Sequence, residues 1–331
     1  MKVRQKRPWS VQVSLVEGCN RLCTFCGLNG IRSSAGNYEF MSEIVAHSAA
    51  SGIQALCPTA RIEFAMHGEP TVHPQFFERI RLFRSYLPKA QLMLTTNGKQ
   101  WIRRLPEMLD QSFRAGIHFV LLDTYEPERL RLIAEAQSIP PSIARVYDYY
   151  ADKNCPNPYA NHHGKVRRTV LLMDDIGLRQ SDPKPQRKLM NHAGNAKDDR
   201  CAPTVKPLSK TCTLPFREAS ICHDGDVNIC CMDWGHEYTC GNVARQSLSS
   251  IWFGAAFVAA RRALGNKQRG FSPCDRCNAG SGSRCGLLPD QSALTARDLE
   301  VIKKVHTLPQ RNRLKRRIWP ELVTLCEGDT E

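Results

Sequence analysis

Residues 11–16, VQVSLV, alternate apolar and polar positions among β-favouring side chains and predict a strand. Five more apolar runs predict strands: IEFAM (62–66), QLMLTT (91–96), IHFVLLD (117–123), SIARVYDYY (142–150) and RRTVLLM (167–173). Amphipathic segments lie between them. PQFFERIRLFRSYL (74–87) predicts a helix with Phe76, Phe77, Ile80 and Phe83 inward. WIRRLPEMLD (101–110) is helical in part, with Pro106 expected to weaken it, and a further helix is expected over 126–137. Repeated strand–helix units with buried strands mean a mainly parallel sheet, here six units against the eight of a closed barrel. In such sheets, sites form at the carboxyl ends of the strands. The loop after the first strand, EGCNRLCTFCGLNG (17–30), is therefore at that end.

The pattern changes after residue 175. Residues 176–210, with Pro183, Pro185, Pro203, Pro207 and many lysines, predict a linker. Residues 211–290 are dense in Cys and Gly and poor in long periodic segments, apart from helical character over 247–264. That composition suggests a small domain organised by metal rather than by a large core. Residues 291–331 form a basic tail.

Composition narrows the chemistry. Fifteen cysteines without a signal peptide argue against a disulfide framework and for metal or redox chemistry. No apolar stretch approaches the roughly 18 residues of a membrane span, so a cytoplasmic protein is expected, in the host cytoplasm if viral. The net charge of +14 suggests an anionic partner. Lys2, Arg4, Lys6 and Arg7 open the chain, and RNRLKRR (311–317) lies near its close.

Cys19, Cys23 and Cys26 are three thiolates where a tetrahedral zinc site needs four ligands. Three suffice for three irons of a four-iron, four-sulfur cube, leaving the fourth iron open to a small molecule. The C-x3-C-x-Phe-C motif after the first strand resembles the signature of the radical S-adenosylmethionine (SAM) superfamily. HGEP (67–70) resembles that family's GGEP motif, with His67 in place of the first glycine, and LTTNG (94–98) resembles another recurrent segment. The resemblance implies a cluster on Cys19, Cys23 and Cys26, with SAM at its open iron. Phe25, Gly68, Glu69 and Asn97 would then contact the cofactor.

Cys212, Gly225, Cys230 and the later pair Cys274 and Cys277, with GNVARQSLSSIW (241–252) between, resemble the SPASM/Twitch extension of such enzymes. The four-cysteine Twitch form fits best and implies one fully ligated auxiliary [4Fe-4S] cluster. The implied fold is a partial (β/α)6-type radical SAM barrel (1–175), a linker (176–210), a Twitch/SPASM-like domain (211–290) and the basic tail (291–331). Cys222, Cys231, Cys240 and Cys285 stay ambiguous between ligand, buried thiol and hydrogen donor. Cys57, Cys155 and Cys326 are expected to be ordinary buried thiols. His162, His163 and His192 are expected in solvated loops rather than lining the site, and Asp123, at a strand end, is better placed to face substrate.

The catalytic residues beyond the cofactor set are unknown at this level. With the charge, the resemblance implies radical chemistry on an anionic substrate: a nucleic-acid base or nucleotide, for example rearrangement of an amino-acid-modified thymidine in hypermodified viral DNA. The enzyme class is isomerase/mutase or dehydrogenase. Alternatives are oxidation or rearrangement of an aminocyclitol or sugar, peptide maturation and, outside enzymes, a zinc-bearing nucleic-acid-binding module. A one-electron reductant such as flavodoxin or ferredoxin and no membrane partner complete the expectation.

Overall fold

A computed structural model describes residues 7–30, 35–125, 127–160, 162, 165–173, 189–201, 206–279 and 294–307. Nine strands share one sheet: β1 (Ser10–Val13), β2 (Arg61–Phe64), β3 (Gln91–Thr96), β4 (Phe119–Asp123), β5 (Arg145–Asp148), β6 (Thr169–Met173), β7 (Glu218–Ile221), β8 (Asp226–Asn228) and β9 (Thr239–Asn242). Their order is β9-β8-β7-β1-β2-β3-β4-β6-β5. All pairs from β7 to β5 are parallel, while β8 and β9 are antiparallel additions at the other edge. The six strands predicted from 11–173 are all present, but the sixth inserts between the fourth and fifth.

Helices α1 (Glu43–Leu56), α2 (Phe76–Tyr86), α3 (Leu105–Ala115) and α4 (Arg129–Gln137) separate the first five strands. Among the described residues no helix joins β5 to β6. Helix α1 is not among the predicted ones. Its buried stripe, Ala46, Ala49, Ala50, Ile53 and Leu56, is mostly alanine and carries a weak apolar signal. Ser42 caps it, accepting from the Val45 N–H at 3.3 Å. Pro106 initiates α3 instead of weakening it, because it falls in the first turn, where a missing N–H costs no helical bond. Phe76, Ile80 and Phe83 of α2 are buried as predicted, with Phe77 packed at the core's margin.

The cysteine-rich region also contains α5 (Leu214–Arg217), α6 (Leu248–Phe253) and α7 (Ala255–Gly265), and α8 (Ala296–Thr307) follows it. The apolar side chains of this region share the core of the parallel sheet. Ala219, Ile221, Val227, Trp252 and Phe257 belong to the same apolar cluster as Val11 and Val13 of β1. Burial at that density stabilises by about 1.5–3 kcal/mol per large side chain. The Arg261 guanidinium is enclosed there too. It donates to the carbonyls of Pro215 (2.7 Å) and Trp252 (2.6 Å), and burial lowers its pKa to about 9. No described helix is long and apolar enough to cross a membrane.

Candidate active site

The loop after β1 is fixed by its neighbour after β2. The Gly18 N–H donates to the His67 carbonyl (3.1 Å), and the Glu69 N–H donates to the Gly18 carbonyl (2.9 Å). This backbone contact leaves no room for a side chain at Gly68. A Cβ there would stand 2.3 Å from the Val16 oxygen and 2.6 Å from that of Gly18. Gly27, next to Cys26, is similarly enclosed: its Cβ would meet the Trp234 ring at 2.7 Å and the His192 Cβ at 2.8 Å.

Glu69 and Asn97 link the loops after β2 and β3. One Glu69 oxygen accepts from the Thr96 hydroxyl (2.6 Å), the Thr71 hydroxyl (2.7 Å) and the Thr71 N–H (3.1 Å). The other accepts from the Asn97 N–H at 2.9 Å. Burial raises the Glu69 pKa, and these donors oppose that shift. Asn97 turns its amide to Asn20 Oδ1 (2.9 Å) and Cys19 Sγ (3.5 Å). The Glu69 carboxylate therefore ties these loops to each other.

Burial pushes the Cys19 and Cys26 thiols up to about 12, and Cys23 upward as well. Cys23 also raises Cys19 and Cys26, since neighbouring thiolates repel. Arg21 and Lys99 favour the Cys23 thiolate, while Asp123 at the end of β4 opposes it. Arg21 pairs with Glu128 and lies over the Tyr125 ring. Phe25 packs on that ring too, with centroids 5.3 Å apart.

Cys212, Cys230, Cys274 and Cys277 are all buried, and Cys230, Cys274 and Cys277 each feel the charge of Cys212. Arg269, 2% exposed, fixes the backbone beside them. Its guanidinium donates to the carbonyls of Lys210 (2.9 Å), Thr211 (3.2 Å) and Ala279 (3.0 Å), which flank Cys212 and Cys277. Its charge lowers the pKa of Cys212, Cys274 and Cys277 against the dominant effect of burial.

The segment NHAGNA (191–196), expected to be a solvated loop, joins the two thiol sets instead. At one end Asn191 and Asn278 exchange side-chain-to-backbone bonds of 2.8 and 3.1 Å beside Cys277. At the other, His192 Nδ1 accepts from the Gly27 N–H (2.8 Å), and the Lys197 N–H donates to the Thr24 carbonyl (2.9 Å). The His192 ring stacks on Trp234 at 5.0 Å, and burial lowers its pKa to about 4, consistent with a neutral acceptor.

Comparison with known proteins agrees with both halves of this arrangement. Residues 212–278 match the SPASM iron–sulfur cluster-binding domain. The chain is 22% identical, over 273 residues, to an S-adenosyl-L-methionine-dependent 2-deoxy-scyllo-inosamine dehydrogenase from Niallia circulans, covering 81% of this chain and 92% of that relative. The crystal structure of BtrN in complex with AdoMet and 2-DOIA superposes with a TM-score of 0.63 at 22% identity, over 83% of this chain and 95% of that one. BtrN in an open conformation superposes at 0.56 and 18% identity, over 89% and 99%. These findings support a radical SAM enzyme with a SPASM domain.

The donor sets suit the cofactors of such an enzyme: three partly exposed thiols on one loop, and four buried thiols of which Cys212, Cys274 and Cys277 feel the Arg269 charge. A [4Fe-4S] cluster, SAM and an auxiliary cluster are its cofactors. The structure brings Phe25, Gly68, Glu69 and Asn97 to the cysteine loop. Of the ambiguous thiols, Cys222, Cys231 and Cys240 are buried outside the set of four, and Cys285 lies outside the described residues with Cys326, His163 and the basic run 311–317. Cys57 is buried as expected and Cys155 partly so. His162 Nε2 donates to the Asn157 carbonyl (2.7 Å), and the ring stacks on Phe119. Sequence reasoning missed Arg21, Tyr125, Glu128, Trp234 and Arg269. Each acts through a fold-dependent contact and has no motif of its own.

Proposed function

We propose that this radical SAM enzyme is a dehydrogenase that oxidises a secondary alcohol of an aminocyclitol or related amino sugar to a ketone. The similarity to the Niallia circulans dehydrogenase across 92% of that relative carries the reading, which is favoured over the nucleic-acid substrate expected from charge. In this proposal Cys19, Cys23 and Cys26 hold the SAM-binding cluster, and Cys212, Cys230, Cys274 and Cys277 hold the auxiliary one. When bound, these groups supply one-electron chemistry: reductive cleavage of SAM, removal of a hydrogen atom from carbon, and acceptance of the remaining electron. The alcohol then loses one hydrogen atom, one proton and one electron.

The protein's own residues position the reaction. Phe25, held by Tyr125, walls the cofactor side, and Gly68 lets the loops after β1 and β2 pack backbone to backbone. Glu69 acts by fixing the loops around Asn97, since its oxygens already receive protein donors. In this reading Asp123, at the carboxyl end of β4, binds the substrate ammonium. A one-electron donor such as flavodoxin or ferredoxin starts turnover.

Reconstituted enzyme, SAM and dithionite with 2-deoxy-scyllo-inosamine should yield 5′-deoxyadenosine and a ketone in equal amounts. Absence of an oxidised product, with 5′-deoxyadenosine instead coupled to turnover of modified DNA or a nucleotide, would overturn this reading. The net charge of +14 motivates that second arm.

A further inference from the structure

His67 stands where the GGEP motif has glycine, and neither cofactor set accounts for it. It is buried, and so are Cys222, just after β7, and His236, in the turn before β9. Ligand atoms of these three side chains all lie within 4.8 Å of one another. Two imidazoles and a thiol therefore converge between the loop after β2 and the SPASM domain.

The local geometry matches metal coordination. Zinc–sulfur and zinc–nitrogen bonds of about 2.3 and about 2.0–2.1 Å at a tetrahedral angle separate the two ligand atoms by about 3.5 Å. Cys222 Sγ and His236 Nδ1 are 3.4 Å apart. Each histidine also turns its other nitrogen to an acceptor. His236 Nε2 is 3.4 Å from a Glu17 carboxylate oxygen, and His67 Nε2 is 3.3 Å from the Cys231 carbonyl. Those acceptors assign the protons to Nε2 and leave Nδ1 of each ring with its lone pair. Metal-bound histidines are oriented in this way by carboxylate or carbonyl partners.

The charges balance as well. A divalent ion with one thiolate carries a net positive charge, which the Glu17 carboxylate faces through His236. The same carboxylate oxygen lies 3.2 Å from His223 Nδ1, and His223 Nε2 lies 2.9 Å from Glu39, so Glu17 is held in place. The Asn228 amide donates to His236 Nδ1 (2.8 Å) and to the Asp233 carbonyl (3.2 Å). Metal binding displaces the first of these bonds and leaves the second.

We propose that His67, Cys222 and His236 form a third metal site, for zinc, that staples the β2 loop of the barrel to the SPASM domain. A mixed imidazole–thiolate set suits zinc, with water completing the four ligands. The site does not depend on the proposed substrate.

The test uses holoenzyme made in zinc-supplemented medium, reconstituted anaerobically with iron and sulfide, then dialysed. One zinc per chain should accompany the iron. Zinc-edge X-ray absorption should show one sulfur and two imidazole nitrogens. Cys222→Ser and His236→Ala should each lose the zinc while iron and sulfide stay at wild-type levels, which also reports an intact fold. If a variant loses iron too, the wild-type spectrum decides. Absence of zinc from the wild type, an all-sulfur environment (zinc in cluster thiols), or zinc retained by both variants would each overturn the proposal.

Discussion

The two thiol sets differ in how the chain surrounds them. Cys19, Cys23 and Cys26 lie on a single partly exposed loop whose shape depends on backbone contacts to Gly68 and His67. Cys212, Cys230, Cys274 and Cys277 come from separate segments and are all buried, with Arg269 donating to carbonyls on their flanks. A local loop can present thiols to a small molecule. A set assembled from distant segments exists only in the folded domain and is closed by it. In the proposed function, binding and bond cleavage fall to the first set and electron handling to the second.

The largest effect should come from the open set. Cys26→Ala should reduce 5′-deoxyadenosine formation at least about 1,000-fold and remove about four irons per chain. Retention of cleavage would break the comparison. Cys274→Ala should also remove about four irons and abolish substrate oxidation, while SAM cleavage without product stays within about tenfold of wild type. Equal loss of both activities would show that the sets do not divide the labour.

Arg269→Gln sharpens the contrast from the closed side. Loss of a buried charge with three carbonyl partners should cost about 1–3 kcal/mol, read as a lower denaturation midpoint. It should also lower the auxiliary cluster's midpoint potential in an EPR-monitored titration, because a nearby positive charge favours the reduced form. The potential of the SAM-binding cluster should not move.

His118 belongs to neither set and provides a control. Burial, aided by Arg84 and Arg167, lowers its pKa to about 4 from an ordinary 6.5. The folded protein thus favours the neutral ring, and this contribution is complete above pH 6.5. It falls away between about 6.5 and 4, by up to about 1.4 kcal/mol per pH unit. Urea midpoints across that range should flatten in His118→Gln, with cluster content unchanged.

Much of this was legible in the chain. The six strands of 11–173 came from apolar periodicity, and the C-x3-C-x-Phe-C motif pointed to the cluster loop. These signals are local, since each strand or loop carries its own pattern within a few residues. Pro106 was misjudged because its effect depends on its position within the helix, and α1 was passed over because alanine marks a buried face weakly. The segment 191–196 looked like linker because its role consists of bonds to Thr24, Gly27 and Asn278, none of which is near it in sequence.

The sequence alone determined the strand–helix repeat, the open three-thiol loop and the Twitch-like spacing, because spacing along the chain encodes each of them. Only the tertiary structure decided that the sixth strand enters between the fourth and fifth, that β7 extends the barrel sheet through β1, and that Arg269 and residues 191–198 organise the thiol sets. It also decided the meeting of His67 with Cys222 and His236. These contacts join residues far apart in sequence, so the packing that brings them together is set by the whole core rather than by any local pattern.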